Sequence, residues 1–188
     1  MSIILASASP RRRELLEMLG LEFQVVPAHD ELDAAGLSPK EAVAKIALGK
    51  ALEVAAKCSC EDIVIAADTL VCVDGDLLGK PQNRQQAFEM LKMLSGREHQ
   101  VFTGIAAVHN GKNISDAEMT YVRFCEMSDD DIWSYIDTGE PMDKAGAYGI
   151  QGKGAVFIEG ITGDYFNVMG LPLHRLHSML RDFGCPVL

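Results

Sequence analysis

Apolar and polar positions along this chain alternate between two periods, and the boundaries between them are marked by turn and capping residues. Ile3 to Ala6 is a short continuous apolar run, which reads as a buried strand. Ser7-Ala8-Ser9-Pro10 ends it, and a helix follows from Pro10 to Leu19, stopped by Gly20. Phe23 to Val26 reads as another short strand. Ser38-Pro39-Lys40-Glu41 has the form of a capping box with proline in the first turn, opening a helix to about Lys57. Ile63 to Val73 is a long, β-branched apolar run closed by the hairpin signal Asp74-Gly75-Asp76. A helix is predicted over Asn83 to Leu94, ended by Ser95-Gly96. Gln100 to Val108 and Ile114 to Phe124 read as paired strands around Asn110-Gly111. Ser128 caps a further helix that Gly139 stops. Ala155 to Ile161 and Tyr165 to Met169 are expected to flank Thr162-Gly163-Asp164 as a third hairpin. Leu173 to Phe183 reads as the last helix, with Gly184 just beyond its end. Hairpins and helix-linked strands both occur, so the expected fold class is α/β, a mixed twisted sheet with flanking helices. Neither repeat nor linker interrupts it, and residues 1–188 read as one domain.

Composition narrows what such a domain does. Nearly half the 188 residues are apolar, as in a globular chain. No apolar stretch approaches the roughly 18–20 residues a membrane span needs, and the first residues lack the pattern of a signal peptide. A cytoplasmic location without membrane attachment is expected. The five cysteines, Cys58, Cys60, Cys72, Cys125 and Cys185, are odd in number and read as reduced thiols. Cys58-x-Cys60 has no second pair and is weak as a metal motif. A formal net charge of −10 argues against a nucleic-acid partner, which requires a basic face. A small anion remains acceptable wherever positive charge is concentrated locally.

The segment after the first strand offers such a concentration. Ser9 suits the N-cap and Pro10 the first helical position, followed at once by Arg11, Arg12 and Arg13. Backbone N–H groups, the positive end of a helix dipole and guanidinium forks then share one place, as a phosphate site requires. A capped surface helix with solvated arginines is the competing reading.

Other charges sit where folding alone would not put them. Asp68 interrupts the apolar run of Ile63–Val73, and a carboxylate buried there without a partner costs several kcal/mol. A cation, a metal or a catalytic task is called for, unless the strand simply ends there. Lys50 falls on one helical stripe with Val43, Ile46 and Val54, either snorkelling to the surface or aimed at an anion. Lys80 lies in Leu78-Gly79-Lys80-Pro81, a loop lysine on its own terms. Glu31 belongs to His29-Asp30-Glu31-Leu32-Asp33, a solvated acidic loop or the edge of a divalent-metal site. The glycine-rich stretch from Met142 to Gly154, on its own terms a generic loop, fits neither the dinucleotide fingerprint nor the Walker A spacing. Its glycines permit close backbone approach to a ligand, and Gln151 can both donate to and accept from a nucleobase edge. No GxSxG, HExxH or CxxC competes, and the i, i+3 pair His174/His177 reads as a surface feature of the last helix.

Taken together in order, LASASPRRREL, Ala66-Ala67-Asp68-Thr69, Gly79-Lys80-Pro81, Leu94-Ser95-Gly96, Asp143 to Gly152 and Val168-Met169-Gly170-Leu171-Pro172 resemble the motifs of the Maf family of nucleoside-triphosphate pyrophosphatases. The resemblance runs nearly end to end. It implies a fold related to the inosine-triphosphate pyrophosphatases, with a cleft between two lobes, and cleavage between the α- and β-phosphates of a nucleotide. It further implies that Asp68 is the proton acceptor for the attacking water and that Lys80 and Glu31 assist catalysis. Ser7, Ser9, Arg11, Arg12, Lys50, Thr69 and Gln151 become substrate-binding residues. Asp68 and Glu31 become ligands of a divalent cation, magnesium or manganese. Arg11, Thr69 and Gln151 look like the branch acting on dTTP and UTP rather than on methylated GTP. A homodimer is what the family suggests. The neighbours of Glu31, Leu32 and Asp33, depart from the family pattern, so that loop can align one residue away. A non-catalytic nucleotide-binding regulator of septum formation is the alternative; intact acidic residues beside the phosphate site favour the enzyme.

Overall fold

In the computed structural model, which describes residues 1–29 and 34–188, the chain divides into two compact units. One comprises Met1–Asp68, Thr103–Glu118 and Gly170–Leu188; the other comprises Thr69–Phe102 and Met119–Met169.

The strands are β1 (Ile3–Leu5), β2 (Phe23–Val25), β3 (Ile63–Val73), β4 (Asp76–Leu78), β5 (Glu98–His109), β6 (Lys112–Phe124) and β7 (Ile158–Thr162). They pair in the order β2-β1-β3-β5-β6-β7, with β4 beside β3. Pairing of β1 with β2 and with β3 is parallel, whereas β3 with β4 and β6 with β7 is antiparallel. The sheet is mixed, as expected. The helices are α1 (Pro10–Met18), α2 (Pro39–Ala55), α3 (Arg84–Leu94), α4 (Asp129–Asp137), α5 (Tyr165–Met169) and α6 (Leu173–Asp182), with 3₁₀ turns at Glu140–Asp143, Ala145–Ala147 and Lys153–Phe157. None of them is long and apolar enough to cross a membrane.

Local chemistry accounts for most boundaries. Ser38 and Glu41 form the reciprocal capping box that opens α2, and Ser128 and Asp131 form another that opens α4. Both central residues of the β3–β4 turn, Asp74 and Gly75, have positive φ, as do Asn110 and Gly111 between β5 and β6. Such turns match the strands' own twist.

The third expected hairpin does not form. Tyr165–Met169 is a helical turn, and β7 pairs with β6 instead. The Asp164 carboxylate accepts the Phe166 N–H at 2.8 Å, which starts the turn. Asn167 then donates to the Val101 carbonyl and to Thr120 Oγ1, at 3.0 and 2.9 Å. These polar anchors outweigh the strand propensity of Tyr-Phe-Asn-Val-Met.

In the first unit, Ala47, Ala51 and Val54 of α2 pack with Ile4, Val64, Ala66, Ala106 and Val108 of the strands. The contact is close because its side chains are small. At Gly104 a Cβ would overlap the Val43 carbonyl, so glycine is required where β5 meets α2. The second unit has a core of its own, in which Leu91 and Leu94 of α3 and Ile132 and Ile136 of α4 surround Phe124 and Tyr148.

Candidate functional site

The first unit gathers charge at the carboxyl ends of β1 and the first half of β3. Ile63 to Ala67 are buried, and Asp68 is the first residue of β3 to emerge, its side chain 18 % exposed. Lys50 Nζ donates to Asp68 Oδ1 at 2.6 Å. The lysine on the apolar stripe of α2 therefore turns inward to a carboxylate rather than outward to water.

Arg12 is held from two sides. Its Nε donates to the Gly170 carbonyl at 2.7 Å and its Nη1 to Ser7 Oγ at 3.1 Å. Ser7 is itself buried. Burial lowers the Arg12 pKa, the Asp68 carboxylate opposes that, and the Arg11 charge adds to the lowering, with a result of about 10. Arg12 and Asp68 are thus within electrostatic reach of each other, and Lys50 touches the same carboxylate.

Ser9 occupies the N-cap position with extended backbone, and Pro10 the first helical position. The expected cap bond is not made: the Ser9 hydroxyl accepts no helical N–H. Instead Ser7 Oγ accepts the Ser9 N–H at 3.2 Å, so the turn is organised by the earlier serine. The N-cap of α1 makes no side-chain hydrogen bond, and Arg11 and Arg12 lie in the helix's own first turn, at the positive end of its dipole.

Of the predicted residues, Ser7, Arg12, Lys50 and Asp68 are brought together in this unit by hydrogen bonds and charge, with Ser9 and Arg11 on the same turn. Glu31 lies outside the described residues. Thr69, Lys80 and Gln151 belong to the second unit.

In that unit the loop carrying Lys80 is tied to the glycine-rich segment, because Gly146 N–H donates to the Gly79 carbonyl at 3.0 Å. Gly146 has φ 67, and a Cβ there would lie 2.9 Å from Val71 Cγ2. The buried Ala147 beside it also has positive φ, a conformation that costs alanine energy and is kept by its surroundings. Lys80 and Gln151 are both exposed.

A carboxylate that the sequence reading did not single out organises the segment around Gln151. Glu140 accepts hydrogen bonds from the Tyr135 hydroxyl (2.8 Å), the Lys153 N–H (2.9 Å) and the Gly154 N–H (3.1 Å). Partial burial raises the Glu140 pKa, but these bonds and the charge of Lys144 outweigh it and hold the group below its ordinary value. The available signal was an acidic residue directly after the helix-stopping Gly139 and before a run of glycine N–H groups. Gly170 was missed as the Arg12 acceptor because a backbone carbonyl has no sequence signature.

Among the described residues no group of three or more His, Cys, Asp or Glu side chains forms a ready-made metal cage. Asp68 nevertheless fits a hard divalent cation. Magnesium is commonly held by one or two carboxylates, with phosphate oxygens and water completing its shell.

Comparison with known proteins places nearly the whole chain in a family. The family model for Maf-like proteins matches residues 2–183. A protein of Symbiobacterium thermophilum named dTTP/UTP pyrophosphatase is 52% identical over 186 residues, covering 98% of this chain and 95% of its own. One of the same name from Thermococcus kodakarensis is 48% identical over 186 residues, covering 99% and 98%. Among solved structures, the Staphylococcus aureus Ham1 protein aligns with a TM-score of 0.56 at 14% identity, covering 97% of this chain and all of that one. A HAM1 protein from Coxiella burnetii gives 0.56 at 15% identity, covering 97% and 99%. These two likenesses show the fold. With its motifs matched from the first strand to the last helix, the chain belongs to the Maf-like protein family.

Proposed function

We infer that this chain is a nucleoside-triphosphate pyrophosphatase that hydrolyses dTTP and UTP to the nucleoside monophosphate and diphosphate. The observation that carries the reading is the Asp68 carboxylate, set where the buried first half of β3 emerges, held by Lys50 and within electrostatic reach of the anchored Arg12. Relatives at about half identity over the full chain, both named dTTP/UTP pyrophosphatase, support it.

In the reaction, a water oxygen attacks the α-phosphorus and the bond to the bridging oxygen of the β-phosphate breaks, releasing diphosphate. Asp68 accepts the proton of the attacking water, and Lys50 fixes that carboxylate in place. Arg12, presented rigidly by its bonds to Ser7 and Gly170, takes negative charge from non-bridging oxygens, as do Arg11 and Lys80. Diphosphate is a good leaving group, so no strong general acid is needed. Asp68, with Glu31 as a second carboxylate, would hold magnesium or manganese, which supplies further neutralisation of phosphate charge when bound. Thr69 and Gln151 contact the nucleotide, Gln151 through the pyrimidine edge.

Diphosphate release from UTP, dTTP, CTP and methyl-GTP, measured side by side with magnesium or manganese, tests this. Release from UTP and dTTP that vanishes in Asp68→Asn is expected. Tight nucleotide binding without metal-dependent release would support the regulator of septum formation instead. A homodimer follows from the family resemblance, and light scattering on the purified chain measures it. A cytoplasmic setting is supported by five cysteines that are all free thiols.

A further inference from the structure

We propose that Glu140 is a positioning residue for Gln151, pinning both ends of the Gly149–Gly154 segment so that the Gln151 amide is presented in one orientation to a pyrimidine base. The proposal rests on the reading of Gln151 given above and adds the device that sets its selectivity.

The pins lie on either side of Gln151. On the leading side, Gly149 N–H donates to the Tyr135 hydroxyl at 3.1 Å, and that hydroxyl donates in turn to Glu140 Oε1. On the trailing side, the Lys153 N–H reaches Glu140 Oε2 and the Gly154 N–H reaches Oε1. One carboxylate thus closes the loop directly at one end and through a phenol at the other. Only an ionised carboxylate, accepting at both oxygens, receives all three donors without conflict.

Glycine is built in where that closure demands it. At Gly152 a Cβ would stand 2.7 Å from Glu140 Oε2, and φ there is +111. At Gly154 it would stand 2.5 Å from the Tyr135 hydroxyl, and at Gly149 2.9 Å from Lys144 Cε. Lys144 Nζ meanwhile donates to the Glu140 carbonyl at 2.6 Å and so holds the 3₁₀ turn Glu140–Asp143 that presents the carboxylate. Ile150, Gln151 and Gly152 lie between the pins, and Gln151 is exposed. A surface glycine loop with no ligand to read needs no such frame. An amide that must distinguish one base edge from another does, because a freely turning amide offers donor and acceptor interchangeably.

The test uses the full chain and steady-state kinetics on UTP and GTP. Glu140→Gln keeps the side-chain length but turns one acceptor into a donor facing an N–H. The expected result is a KM for UTP raised about tenfold with kcat within about twofold, and a UTP-over-GTP preference that falls in step. Gln151→Ala should do the same, and the double variant should be no worse than Gln151→Ala alone, the sign that the two act as a unit. A wild-type KM and preference in Glu140→Gln beside a changed Gln151→Ala overturns this proposal alone. So does a fall in kcat at constant KM, or full additivity in the double variant. An unchanged preference in Gln151→Ala overturns the base-reading role and this proposal with it. If Glu140→Gln does not fold, Tyr135→Phe removes the leading pin while keeping the ring, and the same pattern is expected of it.

Discussion

Lys50 and Asp68 come from a helix and a strand that share the same small-residue core, and they meet at 2.6 Å with both side chains largely shielded from water. Each is placed by apolar neighbours rather than by chain proximity: Ala47, Ala51 and Val54 seat the helix, and Val64 and Ala66 seat the strand. A carboxylate held this way keeps its orientation between turnovers, as a proton acceptor needs. Asp68→Asn preserves shape and removes the basic oxygen. Its diphosphate release from UTP is expected to fall by about 10²–10⁴ or more, the usual worth of a positioned base. Affinity for UTP, measured by calorimetry, should hold or rise, because Lys50 and Arg12 lose a competing negative charge. Lost binding alongside lost turnover would make Asp68 a structural or substrate-holding residue instead.

Arg12→Lys separates charge from geometry. The guanidinium spans the Gly170 carbonyl and the Ser7 hydroxyl with two different nitrogens, and an ammonium on a flexible stem cannot reproduce both directions. A stability loss of about 2 kcal/mol is expected, the scale of hydrogen bonds made by a charged group. Urea unfolding of both proteins at neutral pH measures it. Turnover should fall further than charge alone predicts, because the lysine would no longer face a phosphate from a fixed direction. Equal unfolding midpoints would mean that the two bonds contribute nothing net.

Much of this was legible in the residues for a definable reason. Capping boxes at Ser38 and Ser128 and hairpin turns at Asp74-Gly75 and Asn110-Gly111 are local, so short sequence spans specify them. Asp68 and Lys50 stood out because each places a charge where periodicity demands an apolar residue. The failures lie in which partner a polar group takes, at long range in one case and locally in another. Tyr165–Met169 has strand propensity, yet Asn167 is drawn to Val101 and Thr120, far away in sequence, and the segment coils. Ser9 sits where a cap belongs, but Ser7 takes over the turn because it must also receive Arg12. Gly170 acts through its backbone carbonyl, which leaves no residue-type signature, and the Glu140 carboxylate is bound mainly by backbone N–H groups, which any residue could supply.

Gln151→Glu tests the base-reading role without disturbing the frame around it. The side chain is exposed, and substitutions at such positions ordinarily change stability by no more than about 0.5 kcal/mol. Glutamate loses the donating half of the amide and adds a negative charge near the nucleotide. The kcat/KM for UTP should fall about tenfold or more while the melting temperature stays put, a separation that rests on lost polar pairing rather than lost packing. If wild type prefers methyl-GTP from the outset, the assignment of Arg11, Thr69 and Gln151 to the pyrimidine branch is mistaken.

His99 gives a pH dependence of stability independent of the chemistry. It is 2 % exposed, its Nε2 lies 2.8 Å from the Tyr148 hydroxyl, and its Nδ1 has no hydrogen-bond partner among the described residues. A proton added to the ring would leave a buried charge and an N–H without an acceptor. Desolvation accordingly lowers its pKa from 6.5 to about 4. The unfolded chain therefore binds this proton at higher pH than the folded chain does. Unfolding takes up a proton between those two values, so the stability associated with neutral His99 is complete above pH 6.5 and declines as pH falls toward 4. At pH 5 the loss relative to neutral pH comes to about 2 kcal/mol by linkage. His99→Gln retains a polar neighbour for Tyr148 and does not titrate. Its stability, from urea unfolding at pH 7 and pH 5, should drop by about 2 kcal/mol less than that of wild type over the same interval. Identical drops would mean that neutral His99 is not the source of the loss; Glu140 would not account for it either, because a carboxylate whose folded pKa is depressed loses its stabilisation only below its ordinary value, outside the interval measured.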